Sequence, residues 1–266
     1  MALPFIISVP HCASQIPDTI KSGMALNEIQ IRESVDFGTR EIFGRIPAQE
    51  IIMARWNRLV ADPNRAPDRL DAKGVVALTD YHGRPVFRPG REPSGEAILD
   101  RVNRYHRPYH AALEQSLHNP KAVALIDGHS LNGTGPADAP DAGQRRKDVI
   151  LSNNGDTEGR PDPAIGPPSC APEQIHLFRS AFENQGFSVA LNAPYHGGYI
   201  VKHYGQRLKP ANRFAIQIEI NQDLYMAPGG LFPEKPRIER VRRQVINALE
   251  EVAARLDAVE RSEEAS

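Results

Sequence analysis

An apolar run at residues 122–126 constrains the fold most, because it leads directly into Asp127, Gly128, His129 and Ser130. A short run of small and branched apolar residues is typical of a strand that is buried on both faces of a mostly parallel sheet. Open α/β sheets place ligands at the carboxyl ends of such strands. There, an imidazole can bind a metal or move a proton, and a nearby carboxylate can fix its tautomer. The alternative is a strand end whose histidine only bonds to backbone.

Further apolar segments alternate with amphipathic ones along the chain. We predict strands at residues 4–9, 50–55, 148–152, 188–192 and 214–221, and helices at 27–45, 94–118, 172–185 and 233–256. Pro108 is expected to kink the second helix. Residues 66–93 are predicted to be a surface excursion that can hold a hairpin, and residues 131–147 and 153–171 to be loops. The pattern favours one domain over 1–266, with a frayed tail from 255, and a three-layer α/β/α sandwich around a mixed, mostly parallel sheet.

The composition excludes several classes of protein. Lysine and arginine number 32 against 33 acidic residues, which argues against nucleic acid or an anionic membrane as the main partner. Two cysteines are too few for a disulfide framework or a cysteine-based zinc site. The amino terminus lacks the features of a signal peptide, and no apolar run approaches the roughly 20 residues needed to cross a bilayer. We therefore expect a cytoplasmic protein.

Two histidines and one aspartate form the first candidate site. His11 follows the first predicted strand, His129 follows the central one, and Asp36 lies beside Gly38 in the first predicted helix. Two imidazoles and one carboxylate make an open zinc site, with a fourth position left for water. The alternative for Asp36 is a helix cap or a salt bridge.

Glu219 is the second candidate, because it interrupts an apolar strand and shares one face with Gln217. Burying a carboxylate is costly unless something pairs with it. The functional interpretation is a general base beside a metal-bound water, and the alternative is a pair with an arginine or a solvated strand face. Arg58, Asn64 and Arg65 follow the second strand and can grip a substrate carboxylate, although solvated surface arginines are the alternative.

Other catalytic motifs find little support. The pair His129 and Ser130 invites a serine-hydrolase interpretation, but the sequence has no Gly-x-Ser-x-Gly elbow. His110, on the long helix, is expected to be packed and hydrogen-bonded rather than a ligand.

Eight short motifs resemble those of the N-formylglutamate amidohydrolase family, in the order that the family shows. They are Ser8-Val-Pro-His11, Val35-Asp-Phe-Gly38, Ala54-Arg-Trp-Asn-Arg58, Ala61-Asp-Pro-Asn-Arg65, Tyr105-His-Arg-Pro-Tyr-His110, Ile126-Asp-Gly-His-Ser130, Asn192-Ala-Pro-Tyr-His-Gly-Gly-Tyr-Ile200, and Gln217-Ile-Glu-Ile-Asn221 with Leu224-Tyr-Met226. The resemblance implies a phosphorylase/hydrolase-like fold, distantly related to zinc carboxypeptidases and to the succinylglutamate and aspartoacylase deacylases. In those relatives a glutamate follows the first zinc histidine by three residues, whereas this chain has Ser14 there.

The resemblance also implies a reaction. It is the zinc-dependent hydrolysis of N-formyl-L-glutamate to formate and glutamate, a late step in histidine catabolism. His11, Asp36 and His129 are then the metal ligands, with Glu219 the base and Arg58 the oxyanion stabiliser. Asn64, Arg65 and Tyr199 are assigned to substrate. The alternatives are a deacylase for another N-acyl amino acid or a cell-wall fragment, and a non-catalytic small-molecule binding protein, which the serine at position 14 motivates.

Overall fold

A six-stranded mixed sheet forms the centre of the protein. The computed structural model describes residues 2–227 and 232–264, with side chains described up to residue 258. The strands are β1 (Leu3–Val9), β2 (Ala48–Met53), β3 (Ala124–Leu131), β4 (Val149–Ser152), β5 (Val189–Leu191) and β6 (Phe214–Asn221). They lie in the order β2-β1-β3-β6-β4-β5, and only the β4–β6 pair is antiparallel. The predicted mixed, mostly parallel sheet is confirmed.

Helices cover both sides of this sheet, as the three-layer prediction requires. They are α1 (Asp18–Lys21), α2 (Glu28–Glu33), α3 (Thr39–Ile42), α4 (Gly95–Arg101), α5 (Arg107–Ser116), α6 (Pro172–Asn184), α7 (Tyr199–Leu208) and α8 (Lys235–Glu264). Helix α7 packs on β3 and β6, and α5 packs on β2. Helix α8 packs against α3, α6 and β1. Burial on both faces explains why β3 and β6 are buried at every position.

The register of the strands brings polar side chains together at one rim. His129 on β3 lies opposite Glu219 on β6, and Asp127 lies opposite both Gln217 on β6 and Ser8 on β1. Paired residues of parallel strands project to the same face, and alternate residues along a strand share that face. The sheet therefore collects these groups on one face at its carboxyl edge.

The predicted single helix over 27–45 is wrong. It is interrupted between α2 and α3, where the backbone N–H of Asp36 donates to the carbonyl of His11 at 3.0 Å. Gly38 then takes a left-handed conformation with φ +81°. A Cβ at Gly38 would lie 2.5 Å from Cε2 of Tyr225, so the chain passes this ring too closely for a larger residue. The break delivers Asp36 to the rim.

The predicted surface excursion at 66–93 is also wrong in part. Val75, Val86 and Phe87 are buried in a second, smaller apolar cluster with residues such as Ile31 and Val102. Isolated antiparallel bridges join Thr79 to Pro85 and Met24 to Phe87 in place of a regular hairpin. The segment thus buries part of its apolar side chains, although it contains no regular helix or strand.

The other helices differ from the prediction at their boundaries. The long helix is continuous over α4 and α5, but residues Val102–His106 form a π-helical turn just before Pro108, where a kink is predicted. A π turn is one way in which a helix accommodates a disturbance of its hydrogen-bond ladder. Helix α7 is absent from the prediction. Helix α8 continues to Glu264, past the predicted frayed start at 255, and residues 265–266 lie outside the described part.

Within residues 2–227 and 232–264, none of the helices combines the length and apolar composition that crossing a bilayer requires.

We expect the substitution Gly38→Ala to lower the free energy of unfolding by about 2–4 kcal/mol, because it adds a contact with Tyr225 to the cost of a left-handed backbone. Urea denaturation measures the change. Gly83→Ala is the matched control, because its φ is +78° and a Cβ there meets nothing within 4 Å. That variant should lose only about 1–2 kcal/mol. Equal losses in the two variants would show that the contact with Tyr225 does not matter.

Candidate metal centre

His11, Asp36 and His129 converge in one buried group. Their ligand atoms all lie within 4.8 Å of one another. Asp36 Oδ2 lies 3.0 Å from His129 Nδ1 and 3.4 Å from His11 Nδ1, and the two imidazole rings are 4.8 Å apart between centroids. The three residues that the sequence predicts as a metal site are therefore close in space, although 118 positions separate the two histidines.

A carboxylate backs the far side of each imidazole. His11 Nε2 lies 2.7 Å from Asp62 Oδ1, and His129 Nε2 lies 2.9 Å from Asp127 Oδ2. Asp127 is itself held by Ser8, whose hydroxyl donates to Oδ1 at 2.8 Å. Carboxylates that bond the outer nitrogen of a histidine fix its tautomer and leave the inner nitrogen for a metal. In both histidines the inner nitrogen is then Nδ1, on the side of Asp36.

The chemistry of this group fits a divalent metal. His11 Nδ1 is a buried nitrogen that has no hydrogen-bond partner among the described residues, because its contact with Asp36 lacks hydrogen-bond geometry. Asp36, Asp62, Asp127 and Glu219 are all buried here, and within the described ranges Arg58 is the arginine that ion-pairs with Asp36 and Asp62. Buried carboxylates require compensating positive charge. Two imidazole nitrogens and one carboxylate oxygen are a donor set of open zinc sites.

The charges of these groups depend on one another. Burial alone would raise the pKa of Asp36, but the charge of the neighbouring His11 and the hydrogen bond from His129 lower it. Burial would likewise raise the pKa of Asp62, yet Arg58 and His11 hold it well below its usual range. For His129, burial would lower the pKa, but Asp127 and Asp36 raise it well above the ordinary value. A His129 with both ring nitrogens protonated is the form that these two carboxylates stabilise.

Glu219 is buried beside this group, as predicted. Burial raises its pKa, and the positive charge of His129 opposes that shift. Its Oε1 accepts a hydrogen bond from Gln217 Nε2 at 2.9 Å. The Gln217 amide is fixed in orientation, because its own oxygen accepts the backbone N–H of Gly198 at 2.7 Å. A buried carboxyl with a raised pKa is suited to proton transfer near neutral pH.

Arg58 lies between two of the carboxylates. Its Nη2 donates to Asp62 Oδ2 at 3.0 Å, and its Nη1 lies 3.5 Å from Asp36 Oδ1. Burial alone would lower the pKa of Arg58, but Asp62 and Asp36 raise it. The side chain is still 24% exposed, so part of the guanidinium can meet a ligand.

The three residues predicted to bind substrate lie in different surroundings. Asn64 is buried, and its Oδ1 accepts from the backbone of Ile200 at 2.9 Å. Its Nδ2 lies 3.0 Å from His129 Nε2, but this is a packing contact and not a hydrogen bond when Nε2 donates to Asp127. Arg65 is half-buried and donates to the carbonyls of Asn64 and Lys73. The ring of Tyr199 packs against His110 and His203.

Asp62 is a residue of the candidate site that the sequence interpretation missed. It lies between Ala61 and Pro63, in a segment rich in proline and arginine that is typical of a solvated loop, yet it is 5% exposed and contacts His11 and Arg58. The signal that could have found it is its place in the motif Ala61-Asp-Pro-Asn-Arg65, which follows a strand in the same way as the motifs of the two histidines.

The fold and the site together define a class: a mixed α/β sheet with a candidate centre of two carboxylate-backed histidines and one aspartate at its carboxyl edge. The chain belongs to the N-formylglutamate amidohydrolase family, whose model matches residues 3–226.

Individual relatives agree with this assignment. The chain is 28% identical over 240 residues to an N-formylglutamate deformylase of Pseudomonas putida, covering 84% of this chain and 82% of the relative. It is 26% identical over 258 residues to the N-formylglutamate deformylase of Pseudomonas aeruginosa, covering 93% and 91% of the two chains. The crystal structure of an N-formylglutamate amidohydrolase from Ralstonia eutropha JMP134 has a TM-score of 0.75 at 23% identity and covers 98% of this chain and 95% of the other. That structural similarity supports the fold.

We expect the affinity for a divalent metal to rise with pH through the neutral range. A metal at His129 Nδ1 must displace the proton that Asp127 and Asp36 stabilise, so proton competition weakens binding as the pH falls. Each released proton should contribute about a tenfold change per pH unit. Zn²⁺ titration calorimetry at several pH values, in buffers with different ionisation enthalpies, measures the affinity and counts the protons.

Asp127→Asn provides the matched comparison. Without the Asp127 charge, His129 loses the largest influence that raises its pKa, so its proton competes less and the pH dependence should flatten. An affinity in the unsubstituted protein that does not change with pH would contradict the expected protonation of His129.

Proposed function

We propose that this protein hydrolyses the amide of an N-acyl amino acid and that its substrate is N-formyl-L-glutamate, which it converts with one water to formate and L-glutamate. The observation that carries the proposal is the placement of Glu219 beside the convergent group of His11, Asp36 and His129. The names of the Pseudomonas relatives support the choice of substrate.

His11 Nδ1, His129 Nδ1 and an oxygen of Asp36 would hold the metal, for which we propose zinc. Such an ion supplies a Lewis acid and lowers the pKa of a coordinated water. The protein prepares its own groups for this role, since Asp62 and Asp127 keep both imidazoles oriented with their inner nitrogens toward Asp36.

Glu219 acts as the general base in this proposal. Its Oε1 is held by Gln217, so we assign the proton transfer to the other oxygen, Oε2. Burial keeps the carboxylate less stable than in water, which favours its taking a proton from the attacking water and returning it to the leaving amine nitrogen. Arg58, anchored by Asp62 and Asp36, is assigned to the negative charge that develops on the amide oxygen.

Substrate binding is assigned to Arg65 and Tyr199. The Nε and Nη1 atoms of Arg65 are fixed by backbone carbonyls, which orients the guanidinium and leaves Nη2 for a substrate carboxylate. For Asn64 we revise the sequence-based role: its buried amide accepts from the backbone of Ile200 and packs against His129, so we propose that it holds the site together rather than binding substrate.

The alternative of a non-catalytic binding protein loses its motivation. It depends on the serine at position 14, where related deacylases carry a carboxylate ligand. Here Asp36 brings a carboxylate oxygen to 3.0 Å from His129 Nδ1. Other acyl amino acids remain the competing substrates, because their amides present the same chemistry.

We expect the zinc-loaded protein to hydrolyse N-formyl-L-glutamate faster than N-acetyl- or N-succinyl-L-glutamate and N-formyl-L-leucine. Amine release in a steady-state assay gives kcat/KM for each compound, and metal analysis gives the zinc content. A preference for a larger acyl group would replace the proposed substrate while keeping the class of reaction. No turnover of any compound by protein with one equivalent of zinc would overturn the hydrolase proposal.

We expect Glu219→Gln to lower kcat by about 10²–10⁴-fold while the protein keeps its metal, because glutamine preserves the shape but cannot take a proton. Glu96→Gln is the control, since Glu96 is exposed in the first turn of α4. Stopped assays and metal analysis on both variants make the comparison. Near-normal kcat in Glu219→Gln would remove Glu219 from its role.

A further inference from the structure

Two histidines on the long helix, the buried His106 and the half-buried His110, have no part in the proposed reaction. His106 ends the π-helical turn and His110 lies in α5, so the residues are four apart. Their rings stack with centroids 4.3 Å apart and an interplanar angle of 28°. Both belong to the motif Tyr105-His-Arg-Pro-Tyr-His110, which the roles assigned so far do not explain.

Each of these histidines is hydrogen-bonded to the same short loop, residues 61–65. His106 Nε2 donates to the carbonyl of Arg65 at 2.9 Å, and His110 Nε2 donates to the carbonyl of Pro63 at 2.9 Å. Since a carbonyl oxygen only accepts, both rings carry the proton on Nε2. Nδ1 of His110 contacts the hydroxyl of Tyr204 at 2.8 Å and in this tautomer accepts from it, which fixes that ring from a third side.

The loop carries one group that is hydrogen-bonded to His11 and one that contacts His129. Asp62 bonds Nε2 of His11, and Asn64 contacts Nε2 of His129. The carbonyl between the two anchored ones, that of Asn64, accepts from the backbone of Tyr199 at 3.3 Å. Three consecutive carbonyls of the loop are thus tied to the long helix and to α7.

We propose that His106 and His110 are positioning residues that hold the 61–65 loop and thereby set how Asp62 and Asn64 face His11 and His129. Burial lowers the pKa of His106, and burial with the neighbouring His106 lowers the pKa of His110 to about 3, so both rings stay neutral in the neutral pH range. Neither ring exchanges protons in the reaction. Each ring contributes an N–H donor at a fixed position along the helix. The π-helical turn and the stacking of the two rings set that position.

His106 offers the sharper test, because the bond to the carbonyl of Arg65 is the one hydrogen bond that its ring makes among the described residues. His106→Phe keeps a ring for the stack and removes the donor. His106→Gln keeps a donor near the position of Nε2. His203→Phe is the control, because the ring of His203 stacks on Tyr199 in the same aromatic group but makes no hydrogen bond within the described part of the chain.

The first readout does not depend on the proposed function. In metal-free protein, ¹⁵N-edited NMR of the imidazoles follows the Nε2–H of His11 and His129. We expect His106→Phe to shift or broaden both signals, and His106→Gln and His203→Phe to keep them near their original positions. Thermal unfolding of each variant confirms that it folds. If His106→Phe folds and leaves both signals unchanged, the inference is wrong.

The second readout concerns the metal and rests on the proposed function. We expect His106→Phe to weaken Zn²⁺ binding by about tenfold and to lower kcat, with recovery of both in His106→Gln. Equal Zn²⁺ affinity in His106→Phe and the unsubstituted protein would also overturn the inference. If the unsubstituted protein binds Zn²⁺ but hydrolyses no N-acyl amino acid, the proposed function fails while the NMR and affinity results still decide the positioning role.

Discussion

Buried negative charge at the carboxyl edge of the sheet is the constraint on which the rest of the structure depends. Four carboxylate residues lie together here, each less than one-tenth exposed: Asp36, Asp62, Asp127 and Glu219. Such a group is stable only if cations and hydrogen-bond donors are held against it at fixed distances. Arg58, the two imidazoles and the amide of Gln217 meet that need, and each is placed by a different segment. Packing of the separate segments and compensation of the buried charge therefore depend on each other.

The architecture was largely predictable, because strands buried on both faces appear in the sequence as short continuous apolar runs. Residues 124–131 and 214–221 are apolar enough to identify, and their polar ends point to the functional edge. Two elements escaped prediction for physical reasons. Residues 27–45 have helical periodicity, but tertiary contacts at Asp36 and Tyr225 outweigh helix propensity there. Helix α7 begins after two glycines without a side-chain cap, so its start carries no local signal.

Much of the site could also be predicted, because the residues with the least replaceable chemistry follow strands. His11 follows β1, whereas His129 and Glu219 lie near the carboxyl ends of β3 and β6, and the structure brings the three together. Asp62 was missed because the local sequence of a proline-rich segment does not show whether an aspartate faces solvent or a histidine. The substrate-binding role predicted for Asn64 is revised because its buried amide contacts His129 and Ile200, which lie 65 and 136 residues away in the sequence. Such long-range pairings leave no trace in local composition.

The direction of β4 has a consequence for how this enzyme family can diversify. Because β4 runs against β6, residues 131–147 leave β3 and enter β4 at the same edge of the sheet, where Leu131 and Val149 face Asn221 and Ile220. Arg146 closes this segment on itself through Asp141 and the carbonyl of Asn132. Insertions or deletions there would change the surface at the carboxyl edge without changing the length of any strand. The length and sequence of this segment can thus vary within the family while the sheet stays constant.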